Sequence, residues 1–195
     1  MKTLQSRSWL VIAGLVMLMA LTRFNHFGSA LVLPDASWAV FFLGGLYLAR
    51  FSGALWVFAA LSVETVLVDY YAIAAQDVSA WCVTNAYGFL IFAYAALWLA
   101  GRWFAPRHTL SVKSLAMLCG VVGAAASAAF VISNASFFLF SGRYAEMGAL
   151  EYASRVAQYL GSYIALTLAY VACAVLVHMA VLLLSGKTRH DSRAV

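Results

Sequence analysis

Six stretches dominated by apolar residues run through this chain, at 9–21, 36–48, 54–71, 80–99, 114–140 and 157–184. A helix of about 20 apolar residues crosses the hydrocarbon of a bilayer. No water reaches the backbone there, so each segment must satisfy its own N–H and C=O groups, and a helix does so. The balance of residue types agrees. The chain is 65% hydrophobic and 10% charged, where soluble domains run near half and a quarter. The sequence therefore predicts an all-α integral membrane protein, one transmembrane domain over 1–195 with six spans, and the lipid bilayer as its solvent.

Six spans put both termini on one side. Lys2, Arg7, Arg50, Arg102, Arg107, Lys113, Lys187, Arg189 and Arg193 fall at the ends and on that side's loops; Arg23, Arg143 and Arg155 fall on the other. Nine against three places the termini in the cytoplasm, because loops rich in Lys and Arg stay inside. The formal charge of +5 reports this bias and not a nucleic-acid partner. The basic start followed by 9–21 has the outline of a signal peptide. Thr22-Arg23-Phe24 is a poor small-residue cleavage site, however, and the run reads as the first span.

The segment 22–35 is long and half polar, and long connections tend to be functional. It carries His26 and Phe27, and it ends in Pro34 and Asp35, with Asp35 placed to cap the next helix. The span that follows is short. Thirteen residues of helix cover about 20 Å against roughly 30 Å of hydrocarbon. The preceding loop is therefore expected to dip into the protein over a cavity. Gly44 and Gly45 would let a neighbouring helix approach closely. The third span carries Glu64 and Asp69, and acids inside a span usually face the bundle or a cavity. Asp69 is followed by Tyr70 and Tyr71, which also suit a membrane interface.

Ser79-Ala80-Trp81-Cys82-Val83-Thr84-Asn85-Ala86-Tyr87-Gly88 opens the fourth span, with Cys82 and Tyr87 in its first two turns. A thiol is a soft ligand suited to thiophilic metals, while a lone cysteine is more often a small packing residue. Cys119 and Cys173 are assigned to packing. No CxxC is present, which argues against thiol–disulfide exchange. No HExxH, GxSxG or Walker A motif appears. His26 and His178 fall at opposite depths, too far apart to share a haem. In the fifth span Gly120, Ala124 and Ala128 recur every four residues, a spacing assigned to internal packing. Residues 141–156 form an outer amphipathic segment that includes Arg155. His26, Asp35, Asp69, Cys82, Tyr87 and Arg155 thus converge on the outer face, with Cys82 expected to meet the metal of a bound ligand in an outward pocket that Asp69, Tyr87 and Arg155 also line.

Three stretches carry a family resemblance: LTRFNHFGSALVLPDASWAVFFLGG, WCVTNAYGFLIFAYAALWLAGRW, and SNASFFLFSGR followed by EYASR. They resemble the BtuM family over about residues 20–165. These are small bacterial inner-membrane proteins for cobalamin uptake, related to the substrate-binding S-components of energy-coupling-factor transporters. The resemblance implies an S-component-like six-helix bundle and an outer cobalamin site. It implies a cysteine thiolate, here Cys82, that ligates cobalt and removes cyanide from cyanocobalamin. A thiolate can displace an axial ligand of Co(III) and donate electron density or an electron to it. His26 is a second candidate for cobalt. Phe27, Tyr70, Tyr71 and Trp81 are candidates for the apolar corrin faces, and Asp69, Tyr87 and Arg155 for its polar rim.

Many S-components dock an energy-coupling module through small residues four apart in the first span. Here Ala13 and Gly14 are followed by Met17 and Leu18, so the expectation is a solitary transporter. The alternative is a non-catalytic membrane subunit that binds another vitamin and works with a separate energy-coupling partner.

Overall fold

A computed structural model of the chain describes residues 2–23, 33–75, 78–109 and 111–191, with the side chains of 2–7 and 185–191 left aside. Among the described residues there is no strand. The helices are α1 (Lys2–Arg23), α2 (Ser37–Tyr47), α3 (Ala54–Ala75), α4 (Leu90–Phe104), α5 (Val112–Phe140) and α6 (Ala149–Asp191). Short 3-10 turns lie at Ala80–Cys82, Tyr87–Phe89 and Ala105–Arg107. Four helical stretches are long and apolar enough to cross a membrane: Ala54–Ala75, Tyr87–Arg107, Val112–Phe140 and Ala149–Leu184. Two shorter apolar helices, Ser8–Arg23 and Ser37–Tyr47, accompany them. The protein is thus a helical membrane protein of multi-pass character.

Local chemistry sets several boundaries. Ser111 caps α5, its hydroxyl accepting the Ser114 N–H, and so supplies a partner that the first turn of a helix lacks. Gly142, just past the end of α5, has φ of +69°, the left-handed conformation in which glycine ends a helix without penalty. α6 then begins at Ala149, so the second half of the expected outer segment, 149–156, is already its first turns. With 43 residues, α6 is about 64 Å long at 1.5 Å per residue.

The short helix α2 is the centre of the bundle. It touches α1, α3, α4 and α6, and nine of its eleven residues are buried. Its closest neighbour is α4, and glycines make the approach possible. A Cβ on Gly45 would collide with the Trp98 carbonyl, and one on Gly101 with the Phe42 carbonyl. A Cβ on Gly44 would strike the Trp98 ring. The close contact expected of Gly44 and Gly45 is therefore present, and it seats the indole of Trp98. Around it, Phe41 stacks on Tyr94 with ring centroids 4.1 Å apart, and Phe58 meets Trp98 edge-on at 5.4 Å. Leu15 and Met19 of α1 and Leu118 and Val122 of α5 complete this core.

Two packing expectations are corrected. In α5 the buried row is Leu118, Val122, Ala125 and Ala129, while Gly120, Ala124 and Ala128 face outward, and nothing lies within 4 Å of a Cβ placed on Gly120. Cys119 and Cys173 are exposed on the bundle surface and do not pack in the core. The reason is common to both. Lipid is as apolar as the core, so small apolar side chains carry no signal of which way they face.

Candidate functional site

Arg23 ends α1 and is 2% exposed. A guanidinium that deep must have all its charge answered locally. Asp69 of α3, 8% exposed, takes Arg23 Nε at 2.8 Å on Oδ1 and Nη2 at 2.7 Å on Oδ2. This is the bidentate fork that arginine and carboxylate favour. Nη1 donates to Ser37 Oγ at 2.8 Å and to the Tyr94 hydroxyl at 3.1 Å, and Asp35 Oδ2 stands 3.5 Å away. Nε also faces the Thr65 carbonyl at 3.3 Å. One side chain therefore joins α1, α2, α3 and α4 at one end of the bundle.

The partners are themselves held. Tyr87 donates its hydroxyl to Asp69 Oδ2 at 2.6 Å. The Ser37 N–H and hydroxyl both donate to Asp35 Oδ1, at 2.8 and 2.5 Å. Asp35 thus serves the start of α2, although the capping position itself is Ala36. Thr22 accepts the Ala36 N–H at 3.1 Å, and Tyr170 of α6 donates to the Pro34 carbonyl at 2.6 Å. Thr22, Arg23 and Ser37 are all buried; residues 24–32 of the connection, beneath which a cavity was expected, lie outside the described residues.

Cys82 lies at the same end of the molecule. It is not in the first turns of the fourth span, as the sequence suggested, but in the separate 3-10 turn Ala80–Cys82. Ser79 caps that turn by accepting the Trp81 N–H. Thr84 then folds back to accept the Ala86 N–H at 3.2 Å. Such side-chain bonds compete with a helix, which delays its start to Tyr87. The turn presents Cys82 and Trp81 outward, both exposed. The Arg143 guanidinium covers the Trp81 ring, 4.0 Å from its centroid, a cation–π contact. Tyr163 of α6 packs against Trp38 of α2, with ring centroids 4.7 Å apart and planes tilted by 35°.

The Cys82 thiol is held above the usual thiol range. Partial burial is the largest cause, although the residue as a whole is exposed; the negative charge of Asp69 adds to it, and Arg143 opposes it. Desolvation disfavours a thiolate, as does a nearby carboxylate. The thiol is therefore mostly protonated at neutral pH and gains nucleophilicity as pH rises.

Among the residues the sequence singled out, Asp69 and Tyr87 are brought together, with Cys82 and Trp81 on the turn between their helices. Arg155 does not join them. It bonds Glu151 at 2.7 Å, one turn back on α6, with its side chain 63% exposed. Glu151 thus offers it a partner on its own helix. Tyr70 is 71% exposed and Tyr71 53%. His26 and Phe27 lie outside the described residues. Arg23 and Arg143 are the residues that sequence reasoning missed. Arg23 had a readable signal: a lone cation at the end of one apolar run, matched in depth by Asp69 at the end of another.

At the opposite end, where α2, α3 and α4 meet their turns, a cavity of about 800 Å³ is lined by Tyr47, Arg50, Phe51, Ser52 and Arg102, among others. His178 of α6 approaches the Tyr47 hydroxyl at 3.3 Å and stacks near His108, with ring centroids 6.5 Å apart. Among the described residues no group of three or more His, Cys, Asp and Glu side chains could hold a metal ion by itself. No family model and no curated protein matches this chain.

Proposed function

We propose that this protein binds cobalamin at the Cys82 end and takes part in its uptake across the bacterial inner membrane. In this reading the Cys82 thiolate takes an axial position on cobalt. The step is a ligand exchange: a Co(III)–S bond forms, the Co–C bond to cyanide breaks, and cyanide departs with its electron pair. The cobalt keeps its oxidation state, and cyanide takes up a proton in solution. Oxygen is a harder and poorer ligand for this exchange.

The observation that carries the reading is the setting of Cys82. It is an exposed thiol on a capped turn, next in sequence to Trp81, whose ring lies under Arg143, and within electrostatic reach of Asp69 in the buried polar cluster. A large flat ligand with polar edges needs aromatic faces and a few fixed polar groups. A packing cysteine would need none of these. The resemblance of the flanking stretches to the BtuM family supplies the identity of the ligand. The finer topology belongs to the same proposal: six membrane segments, α1 and α2 included, with both termini cytoplasmic on the nine-to-three bias of Lys and Arg. α2 can be short because protein, not lipid, surrounds it.

The deciding experiment is the visible spectrum of purified protein mixed with cyanocobalamin, beside Cys82→Ser. Wild type should change its spectrum as cyanide leaves, and faster at alkaline pH, because the thiol is held high. Cys82→Ser should still bind some cobalamin with its cyanide attached, since many contacts share the binding energy. Equal cyanide release from both proteins would remove Cys82 from the chemistry. No binding by either would remove cobalamin.

A further inference from the structure

The end of the bundle away from Cys82 carries two joined features that the cobalamin reading does not use. One is the cavity of about 800 Å³ with Arg50 and Arg102 in its wall. The other is a groove of about 250 Å³ on the flank between α3 and α4, lined by Leu55, Phe58, Ala95, Trp98, Leu99 and Arg102. Arg102 belongs to both. The first is cationic, and the second is apolar apart from that one arginine.

Neither Arg50 nor Arg102 has a carboxylate partner among the described residues, and both are exposed. Arg102 lies in the last turn of α4, where a cation complements the helix dipole. That accounts for one arginine but not for a second one, from the turn after α2, on the same cavity. Two guanidinium groups with spare donors at a concave surface suit a phosphate, which both can fork. Tyr47 and Ser52 line the same cavity.

The groove decides which phosphate. Leu55 and Leu99 are 74% and 61% exposed, on a helix pair whose flank faces hydrocarbon. The floor is firm, because Gly44 seats the Trp98 ring and Phe58 meets it edge-on. A soluble phosphate compound has no use for an apolar channel that begins at its anion site. A lipid has both parts in this order, a charged head at the interface and a chain beside it. Basic pockets between membrane helices hold anionic headgroups in this way. We infer that the cavity and the groove form one binding site for an anionic phospholipid, its phosphate on Arg50 and Arg102 and an acyl chain along Leu55, Phe58, Ala95, Trp98 and Leu99.

The test uses the full chain in mild detergent, with dioleoylphosphatidylglycerol, dioleoylphosphatidylcholine and inorganic phosphate as probes. Native mass spectrometry counts bound lipid, and thermal unfolding reads stabilisation. Wild type should hold one phosphatidylglycerol about tenfold more tightly than phosphatidylcholine, and inorganic phosphate should leave the unfolding temperature unmoved. Arg50→Gln and Arg102→Gln should each cost about tenfold in affinity for phosphatidylglycerol, the equivalent of one charge-assisted contact. Arg102→Lys should keep part of it. Ala95→Trp, which fills the groove and leaves both arginines, should weaken binding of both lipids. Equal affinity of wild type for the two lipids would overturn the inference without any variant. So would stabilisation by inorganic phosphate equal to that by phosphatidylglycerol, or unchanged lipid binding by the folded arginine variants. None of these outcomes bears on cobalamin, which is read at the other end.

Discussion

The two ends of the bundle use arginine in opposite ways. Arg23 is buried and engaged on every side, with a carboxylate forked onto it and four further oxygens within 3.5 Å. Arg50 and Arg102 are exposed on a cavity wall and have no acid partner among the described residues. A saturated buried cation has nothing left to offer a ligand, so its work is to hold helices in place. An unsaturated one at a concave surface retains its donors. Binding is therefore to be sought beside the first cluster, at Cys82, and directly on the second.

The largest test of this contrast is to remove one charge from each end. Arg23→Met leaves Asp69 buried without its partner, and losing one member of a buried pair costs about 3–5 kcal/mol. Most of the protein should then fail to elute as a folded species from size-exclusion chromatography in detergent. Arg50→Gln should change stability by less than about 0.5 kcal/mol, as exposed substitutions commonly do. Equal losses at both ends would erase the distinction.

The next effect concerns the thiol that the cluster influences. Alkylation of Cys82 by a thiol reagent requires the thiolate. Its pKa is held above the usual value, so below that pKa the rate should rise about tenfold per pH unit, with no plateau near pH 8. Arg143→Gln removes the cation that favours the thiolate and should slow the reaction at neutral pH. A plateau at neutral pH would mean that Arg143 outweighs burial and Asp69. Cys119 and Cys173 are replaced by alanine for this measurement, since both are exposed.

Tyr87→Phe deletes one hydrogen bond to Asp69 but leaves the arginine fork intact. Its cost should be about 1 kcal/mol, read as a small fall in unfolding temperature; a loss as large as that of Arg23→Met would make Tyr87 a principal member of the latch. Arg155→Ala should be the mildest, below about 0.5 kcal/mol, because exposed pairs within one helix contribute little. A drop in cobalamin binding on Arg155→Ala would instead put Arg155 itself into the site.

Much of this architecture was legible from run length alone. The apolar stretches at 54–71 and 114–140 become Ala54–Ala75 and Val112–Phe140, because a membrane leaves a long apolar run only one backbone solution. Gly44 and Gly45 announced a close helix contact, since only a missing Cβ permits it. Other features were hidden. The pairing of Arg23 with Asp69 spans 46 positions, and no local pattern encodes a partner that distant. The turn at Cys82 was read as helix because Trp81, Cys82 and Val83 are apolar. The decisive residues, Ser79 and Thr84, act through single hydrogen bonds that hydrophobicity does not register. The outward face of α5 was unreadable for a different reason: its two sides are equally apolar, and only neighbours decide between them.

The glycine contact between α2 and α4 has a consequence for the making of the protein. α2 has eleven residues, far fewer than the insertion machinery reads as a span. It emerges before α4 in synthesis, yet the surface that accommodates Gly44 and Gly45 belongs to α4. Its own sequence therefore does not commit α2 to the membrane when it is made. The seat of Gly44 and Gly45 can therefore close only once Trp98 and Gly101 have been made.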